Sequence, residues 1–458
     1  MKGVSEETRS APASKWRRYP EHRNSGIEWL CDIPAHWDVH KLGSRCSVKA
    51  RLGWKGLKAA EYVDDGYIFL ATPNIKPRDI DFENVDHITA ARYFESPEII
   101  LRVGDVLMAK DGATLGIINL VSRLPAPATV NGSIAVLRPK PGLDSSFLYY
   151  WLSADYSQQV IQRMKGGMGV PHLFQADLRK FVVACPDISE QKAIAAFLDR
   201  ETAKIDALIS KRQQLIALLE EKRAALISHA VTEGLDPTVP MRNSGIDWLG
   251  EIPAHWLTPP LYARYEVQLG KMLDSKRITG TRLAPYLRNV DVQWDYVNTE
   301  DLPNMDFSES DRERFALRRG DLLVCEGGEV GRTALWNGGL EECYYQKAIH
   351  RLRPRYGEDS PRYLFYVMYA ASKFGVFRAT GNPNTIDHLT AEKLRAHRFP
   401  LPPPREQHDI VEHLDRRISA TRRLETKCHE SIKMLREYHT ALISAAVTGK
   451  IDVRGEVQ

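Results

Sequence analysis

Polar and basic side chains gather beside the turns of two separate stretches of this chain. In the first they are Arg51, Lys55, Lys58, Asn74, Lys76, Lys110, Thr114, Asn131, Ser133 and Lys165. In the second they are Lys271, Lys276, Arg277, Arg288, Asn289, Arg332, Gln346, Lys347, Asn382 and Asn384. Arginine presents paired donors to a guanine edge, asparagine and glutamine match an adenine edge, and lysine holds phosphate. Taken together, these types could read a nucleic-acid duplex. Taken singly, each is equally a solvated loop residue.

Covalent chemistry has no comparable support. The chain lacks GxSxG, HExxH and the D/N-P-P-aromatic string with which aminomethyltransferases hold a flipped base. Its nearest approach, Asn382-Pro383-Asn384, lacks the second proline and the aromatic. The glycines at 112, 116, 328 and 331 belong to no GxxxxGK[ST] or GxGxxG and read as turn residues. His36 and His255 have no spaced ligand or nucleophile beside them. Six cysteines, at 31, 46, 185, 325, 343 and 428, show no CxxC spacing and read as reduced thiols, with no metal site and no disulfide framework. The two stretches are therefore expected to be binding surfaces without a catalytic site.

What positions them is duplicated. RNSGIEWLCDIPAHW at Arg23–Trp37 returns as RNSGIDWLGEIPAHW at Arg242–Trp256, with twelve of fifteen positions identical. GDVLMAKDGATLG from Gly104 faces GDLLVCEGGEVG from Gly320, and VNGSIAVLRP from Val130 faces YQKAIHRLRP from Tyr345. SEQKAIAAFLDRE from Ser189 faces REQHDIVEHLDRR from Arg405, and ALISHAVT from Ala225 faces ALISAAVT from Ala441. Five landmarks in one order make the chain a tandem duplication of a unit of about 215 residues. The ends of each copy agree well, whereas Val39–Met168 and Leu257–Thr380 agree only at scattered glycines and apolar positions. A common frame carrying two different surfaces is the expectation.

Each copy closes in a long helix. Steps of four and three connect Ile194, Leu198, Glu201, Ile205, Leu208, Arg212, Leu215, Leu219, Lys222 and Leu226, which predicts a coiled-coil seam. The second copy gives the weaker series Ile410, Leu414, Arg417, Thr421, Leu424, Cys428, Ser431, Leu435, Tyr438 and Leu442, with Ile418, Ile432 and Ile443 widening the stripe. Asp187 and Glu190 have capping-box spacing at the first helix start, and Gly234 and Gly449 are candidate stops. Residues 187–223 carry seven acids and seven bases, and residues 405–437 carry seven and eight. Helices so balanced read as spacers facing protein and not as readers of a duplex groove. About 40 residues at a rise of 1.5 Å make a rod of roughly 60 Å.

The middles read as β-rich, with strands at Gly66–Leu70, Asp105–Met108 and Ser133–Leu137, then helices over Ser146–Arg163 and Pro361–Phe377. The fold class expected is α+β: two mixed β-rich heads joined by two long antiparallel coiled-coil helices, pseudo-two-fold and near-circular. The boundaries expected are a disordered tail over 1–22, whose KWRR cluster is otherwise a basic arm, a first head over 23–185 and a spacer helix over 186–232. A linker over 233–241, a second head over 242–403, a second spacer helix over 404–448 and a C-terminal tail over 449–458 complete them.

Composition constrains the class more loosely. The 458 residues are 43% hydrophobic and 9% aromatic, enough to build cores. The short apolar runs offer no transmembrane helix, and the first 22 residues have no secretory apolar region, so a cytoplasmic chain is expected. A formal charge of +4 permits nucleic-acid binding without requiring it.

Variable heads, each followed by a helix opening P-x-x-S/R-E-Q and closing ALISxAVT, resemble a type I restriction-modification specificity subunit. The S-G-I-x-W-L-x-x-I-P-x-H-W string resembles the one that opens each target-recognition domain of that family, and the likeness runs from about Arg23 to Val453. The resemblance implies a bipartite duplex-DNA target, each head reading one half and the helices fixing the gap. It implies two methylation subunits bearing S-adenosylmethionine and adenine-N6 chemistry, and motor-nuclease subunits using ATP and Mg, with no cofactor in this chain and no membrane. A specificity polypeptide for a fused nuclease-methyltransferase and a coiled-coil scaffold binding proteins stay open as alternatives.

Overall fold

The duplicated opening string folds into the same hairpin twice. His22–Asn24 pairs antiparallel with Asp32–Pro34, and Met241–Asn243 with Glu251–Pro253. Its Asn-Ser-Gly run explains the turn: Gly26 and Gly245 take φ of +75° and +71°, and their N–H groups donate to Asn24 Oδ1 and Asn243 Oδ1. The structure, a computed structural model, describes residues 16–51, 57, 61–76, 79–164, 171–272, 280–377 and 388–456.

The first head builds a four-stranded antiparallel sheet from β1 (Cys46–Lys49), β2 (Val106–Ala109), β3 (Ile118–Leu120) and β4 (Ile134–Pro139), in the order β1-β4-β2-β3. The second repeats it with β5 (Tyr265–Leu269), β6 (Leu322–Cys325), β7 (Thr333–Leu335) and β8 (Ile349–Pro354), in the order β5-β8-β6-β7. All four residues of β2 and of β6 are buried, so their sequences are apolar runs and do not alternate. A three-stranded sheet stands beside each, Asp86–Ile88, Tyr62–Leu70 and Ala128–Val130 in one copy and Asn304–Asp306, Leu283–Leu287 and Tyr344–Tyr345 in the other. The duplicated G-D and L-R-P motifs meet inside these sheets. Arg138 donates to both oxygens of Asp105 at 2.7 Å, and Arg353 to those of Asp321 at 2.7 and 2.6 Å.

Helix α1 (Ser145–Ser153) in the first head is shorter than the expected Ser146–Arg163. Ala154 is extended there (φ −64°, ψ 146°), and a separate helix restarts over Asp155–Met164 with the Asp155 N–H donating to Ser444 Oγ. The long helix α2 (Ile188–Thr232) follows. The second copy gives α3 (Pro361–Lys373) and α4 (Pro404–Val447).

The chain divides into two compact units, Met1–Arg212 with Glu430–Gln458, and Gln213–His429. Each unit contains one head with a length of α2 and a length of α4. In the first unit Asp206 of α2 lies 4.0 Å from His439 of α4; in the second, Arg223 lies 3.3 Å from Glu425. The predicted seam is followed only in part. Ile194, Leu198, Ile205, Ile410, Leu414 and Leu442 are buried, and Leu219, Leu226 and Leu435 are half-buried, but Leu208, Leu215 and Leu424 are exposed. Cys428, Ile418 and Ile432 of the same stripe are buried, and so is Ile209, beside the expected seam. The step from Ile205 to Ile209 is four, as a helix of 3.6 residues per turn requires more often than a strict heptad allows.

The expectation of a disordered 1–22 is corrected from Trp16 onward. Trp16 packs edge-on against Phe197, with ring centroids 4.8 Å apart, the Asp452 N–H donates to the Arg17 carbonyl at 2.8 Å, and the buried Tyr19 lies beneath Arg454. Two aromatics in a polar stretch supplied the apolar area that composition alone concealed. Residues 1–15 lie outside the described residues.

The ends of the long helices fit the hairpins closely. A Cβ on Gly449 (φ +71°) would stand 2.3 Å from Pro34 Cδ, whereas one on Gly234 (φ +82°) would stand 3.3 Å from Trp256. Gly449→Ala is therefore expected to cost about 2–4 kcal/mol and Gly234→Ala about 1–2 kcal/mol, the difference being overpacking. Hydrogen exchange over residues 22–37 in the first variant and 241–256 in the second measures both. Equal losses would contradict the clash.

Candidate nucleic-acid interface

One glutamate anchors each hairpin. In the first unit Trp37 Nε1 donates to Glu190 Oε1 at 3.1 Å, Tyr19 Oη donates to the same oxygen at 2.7 Å, and His36 Nε2 lies 2.9 Å from Oε2. In the second, Trp256 Nε1 donates to Glu406 Oε1 at 3.0 Å and His255 Nε2 lies 2.8 Å from Oε2. The two histidines, without a role in the sequence, belong to this clamp. The next residue completes it: Gln191 accepts from the N–H of Asp144, the N-cap of α1, and Gln407 from that of Ser360, the N-cap of α3. Burial together with the bond to Glu190 raises the Tyr19 phenol above its ordinary range. The H-W of the string and the E-Q of the helix start are one device written in two places.

A glycine-rich turn follows β2 and β6 at one edge of each four-stranded sheet. In the first head the turn after β2 is stitched at both sides: the Lys110 N–H donates to Ser133 O at 2.8 Å, and the Leu173 N–H donates to Lys110 O at 2.9 Å. The second head repeats this with the Glu326 N–H to Ala348 O and the Leu389 N–H to Glu326 O, both 2.9 Å. A His-Leu pair, His172-Leu173 and His388-Leu389, thus arrives at the same place in both copies, a repeat that the sequence reading missed although its offset is again 216.

The chemistry around this common skeleton differs. In the first head His172 Nδ1 bonds Asp111 and Lys110 Nζ lies 3.3 Å from Asp111 Oδ2. Burial would raise the Asp111 carboxyl, but the Ser133 hydroxyl, the Lys110 charge and His172 together hold it below the usual carboxylate range. Exposed Phe174 stands edge-on to the His172 ring at 4.5 Å. In the second head glycine replaces aspartate, and His388 lies against Gly327. There Arg332 Nη2 donates to Asn289 O and Oδ1 at 2.9 and 3.0 Å, and Asn289 Nδ2 donates to Gly327 O at 2.8 Å. The first edge is a carboxylate-imidazole-ammonium group and the second a guanidinium-carboxamide group.

The structure gathers Lys110, Thr114 and Ser133 at the first edge, and Asn289 and Arg332 at the second. Other expected readers are engaged elsewhere in the fold. Asn74 caps the turn at Ala71, Asn131 Oδ1 accepts from the Ser133 N–H, and Lys76 pairs with Asp81 at 2.8 Å. Arg51 lies largely buried 3.6 Å from Glu95, Lys271 pairs with Asp311 at 2.7 Å, and Arg288 forks onto Asp291. Gln346 is half-buried and Lys347 exposed. Lys55, Lys58, Lys165, Lys276, Arg277, Asn382 and Asn384 lie outside the described residues.

All six cysteines are free. Burial pushes Cys46 and Cys343 up to about 12, and Cys185 and Cys325 up to about 11, far from a reactive thiolate. Among the described residues no three His, Cys, Asp or Glu are placed to hold a metal, and no helix is long and apolar enough to cross a membrane.

The family model for the type I restriction modification DNA specificity domain matches twice, over residues 36–218 and 266–434. The chain belongs to this family. It is similar to the type I restriction enzyme EcoKI specificity subunit of Escherichia coli K12, 20% identical over 92% of this chain and 90% of that one. Likeness to the StySPI specificity subunit of Salmonella potsdam is the same, 20% over 92% and 90%. In structure it is similar to a chain described in work on assembly and conformational transition of the type I R-M system, with a TM-score of 0.68, 17% identity and coverage of 91% and 98%. An HsdS subunit from Thermoanaerobacter tengcongensis gives a TM-score of 0.51 at 18% identity, covering 92% and 98%. These likenesses show the α+β architecture of two heads with long helices. The specificity-domain matches take in both clamp glutamates and both turns after β2 and β6.

Proposed function

We propose that this chain is the DNA-binding specificity subunit of a type I restriction-modification complex, non-catalytic itself, in which each head reads one half of a bipartite duplex target. The observation that carries the reading is one skeleton bearing two chemistries: the same stitched turn ends in Lys110, Asp111 and His172 in one copy and in Asn289, Arg332 and His388 in the other. Equivalent placement gives both heads the same task, and unlike groups give them unlike base edges. In the proposal, two methylation subunits dock on the helices and supply S-adenosylmethionine and adenine-N6 transfer. Motor-nuclease subunits supply ATP- and Mg-dependent restriction, all in the cytoplasm. Exposed Leu208 and Met434 in the first unit, and Leu215, Leu218 and Leu424 in the second, offer apolar area to such partners. A modest net charge fits a subunit that shares phosphate contacts with others.

Mapping methylated adenines in a genome expressing this chain with its methylation subunits should return one bipartite sequence with unlike halves. A continuous or symmetric site would overturn the reading. Lengthening α2 by four residues between Leu208 and Leu219 adds about 6 Å. It should widen the gap by about two base pairs at about 3.4 Å each while both halves stay unchanged.

A further inference from the structure

Both heads meet a long helix through the same tyrosine-aspartate contact and finish it differently. In the second unit the Tyr366 hydroxyl donates to Asp415, and Arg362 joins them, with Nη2 2.7 Å from Asp415 Oδ1 and 3.1 Å from Tyr366 Oη. The guanidinium lies 4.7 and 4.8 Å from the ring centroids of Phe365 and Tyr366, and its other face pairs with Asp295. In the first unit the Tyr150 hydroxyl donates to Asp199 Oδ1 at 2.6 Å. The register between copies is fixed by the capping glutamines, so Ser146 stands where Arg362 stands and Tyr149 where Phe365 does. Where the second unit holds its own guanidinium, the first has an open cleft of about 660 Å³, lined by Ser146, Tyr149, Tyr150, Asp199, Asp206 and His439 among others.

We infer that this cleft receives an arginine or lysine side chain from a partner protein, in the position that Arg362 occupies in the second unit. Two aspartates at its wall disfavour phosphate and so disfavour DNA as the occupant. A carboxylate beside an aromatic face suits a planar cation, as the second unit demonstrates with its own residue. The cleft is larger than one side chain, which fits a segment of polypeptide. The identity of the partner as a methylation subunit rests on the function proposed above; the cation site does not.

The test has two arms. Titrating L-argininamide into the full chain should show binding with a dissociation constant on the order of 1 mM, read by calorimetry. Asp199→Asn, which keeps an acceptor for Tyr150, and Ser146→Arg, which supplies the missing guanidinium from within, should each abolish it, whereas Ser146→Thr should retain it. No binding by the unaltered chain, or undiminished binding by Ser146→Arg, overturns the site. In the second arm, Ser146→Arg should weaken assembly with the methylation subunits at least tenfold in dissociation constant. Assembly as tight as that of the unaltered chain overturns the partner assignment. If the unaltered chain does not assemble with methylation subunits at all, the partner assignment falls with the proposed function, and the first arm still decides the cleft.

Discussion

Replacing Glu190 by alanine is expected to loosen the first unit more than any other single change on the clamp. Its side chain is only 5% exposed, and it accepts from Trp37 Nε1 and the Tyr19 hydroxyl, both buried. Each donor left without a partner costs about 1–3 kcal/mol, so the loss is about 3–5 kcal/mol. Glu406 does the same work at 28% exposure and, among the described residues, accepts from one buried donor, Trp256, so Glu406→Ala should cost about 1–2 kcal/mol. Because the chain holds two units, a single unfolding midpoint would mix them. Hydrogen exchange read by peptide keeps them apart: Glu190→Ala should raise exchange over 16–37 and 449–453 and leave 241–256 as it was. Uniform loosening of both hairpins, or equal costs for the two glutamates, would show that the clamp is not what seats each head. Glu190→Gln can keep the one oxygen that accepts from both buried donors and gives up only the oxygen facing the exposed His36, so it should recover most of the loss.

What the sequence disclosed of all this follows from what repetition records. A frame built twice leaves the same residues at the same spacing, which is why the two heads, the E-Q helix starts and the long helices could be anticipated from landmarks 215 to 219 apart. The partners within the frame were not legible. Nothing in I-P-A-H-W announces that its histidine and tryptophan face a glutamate more than 150 residues away. The seam was misplaced at Leu208, Leu215 and Leu424 because a leucine at a heptad position looks identical whether the neighbouring face is covered or open. Residue type alone overstated the reading surface. Asn74, Lys76, Lys271 and Arg288 have the chemistry for bases and phosphates, yet each is engaged with a backbone group or carboxylate of its own head. His172 and His388 went unnoticed because one histidine followed by leucine is too short a string to register as a repeat.

Exchanging residues 39–168 for the corresponding part of another specificity subunit should replace one half of the recognised sequence and leave the other half and the gap intact. The exchanged segment carries β1 through β4, the turn at Lys110–Gly116 and the side chains of the first edge apart from His172, which stays behind on the frame. Arg23–Trp37, Glu190, Gln191 and Gly449 all lie outside it, so the clamp is untouched. Among the seats that the incoming head must supply are an N–H for Gln191 where Asp144 stands and a hydroxyl for Asp199 where Tyr150 stands. The second copy meets both demands with Ser360 and Tyr366, which shows that a differently surfaced head can satisfy the same frame. A mismatched base pair costs about 1–3 kcal/mol, so losing three contacted pairs should reduce methylation of the old site at least about a hundredfold. Sequencing of methylated adenines reads both halves in one measurement. Change in both halves would mean that the heads are not separate readers, and change in neither would place recognition outside 39–168. Retention of His172 makes a finer distinction: if it contacts a base, the new half keeps one position of the old, and a second exchange extended through Phe174 should remove it.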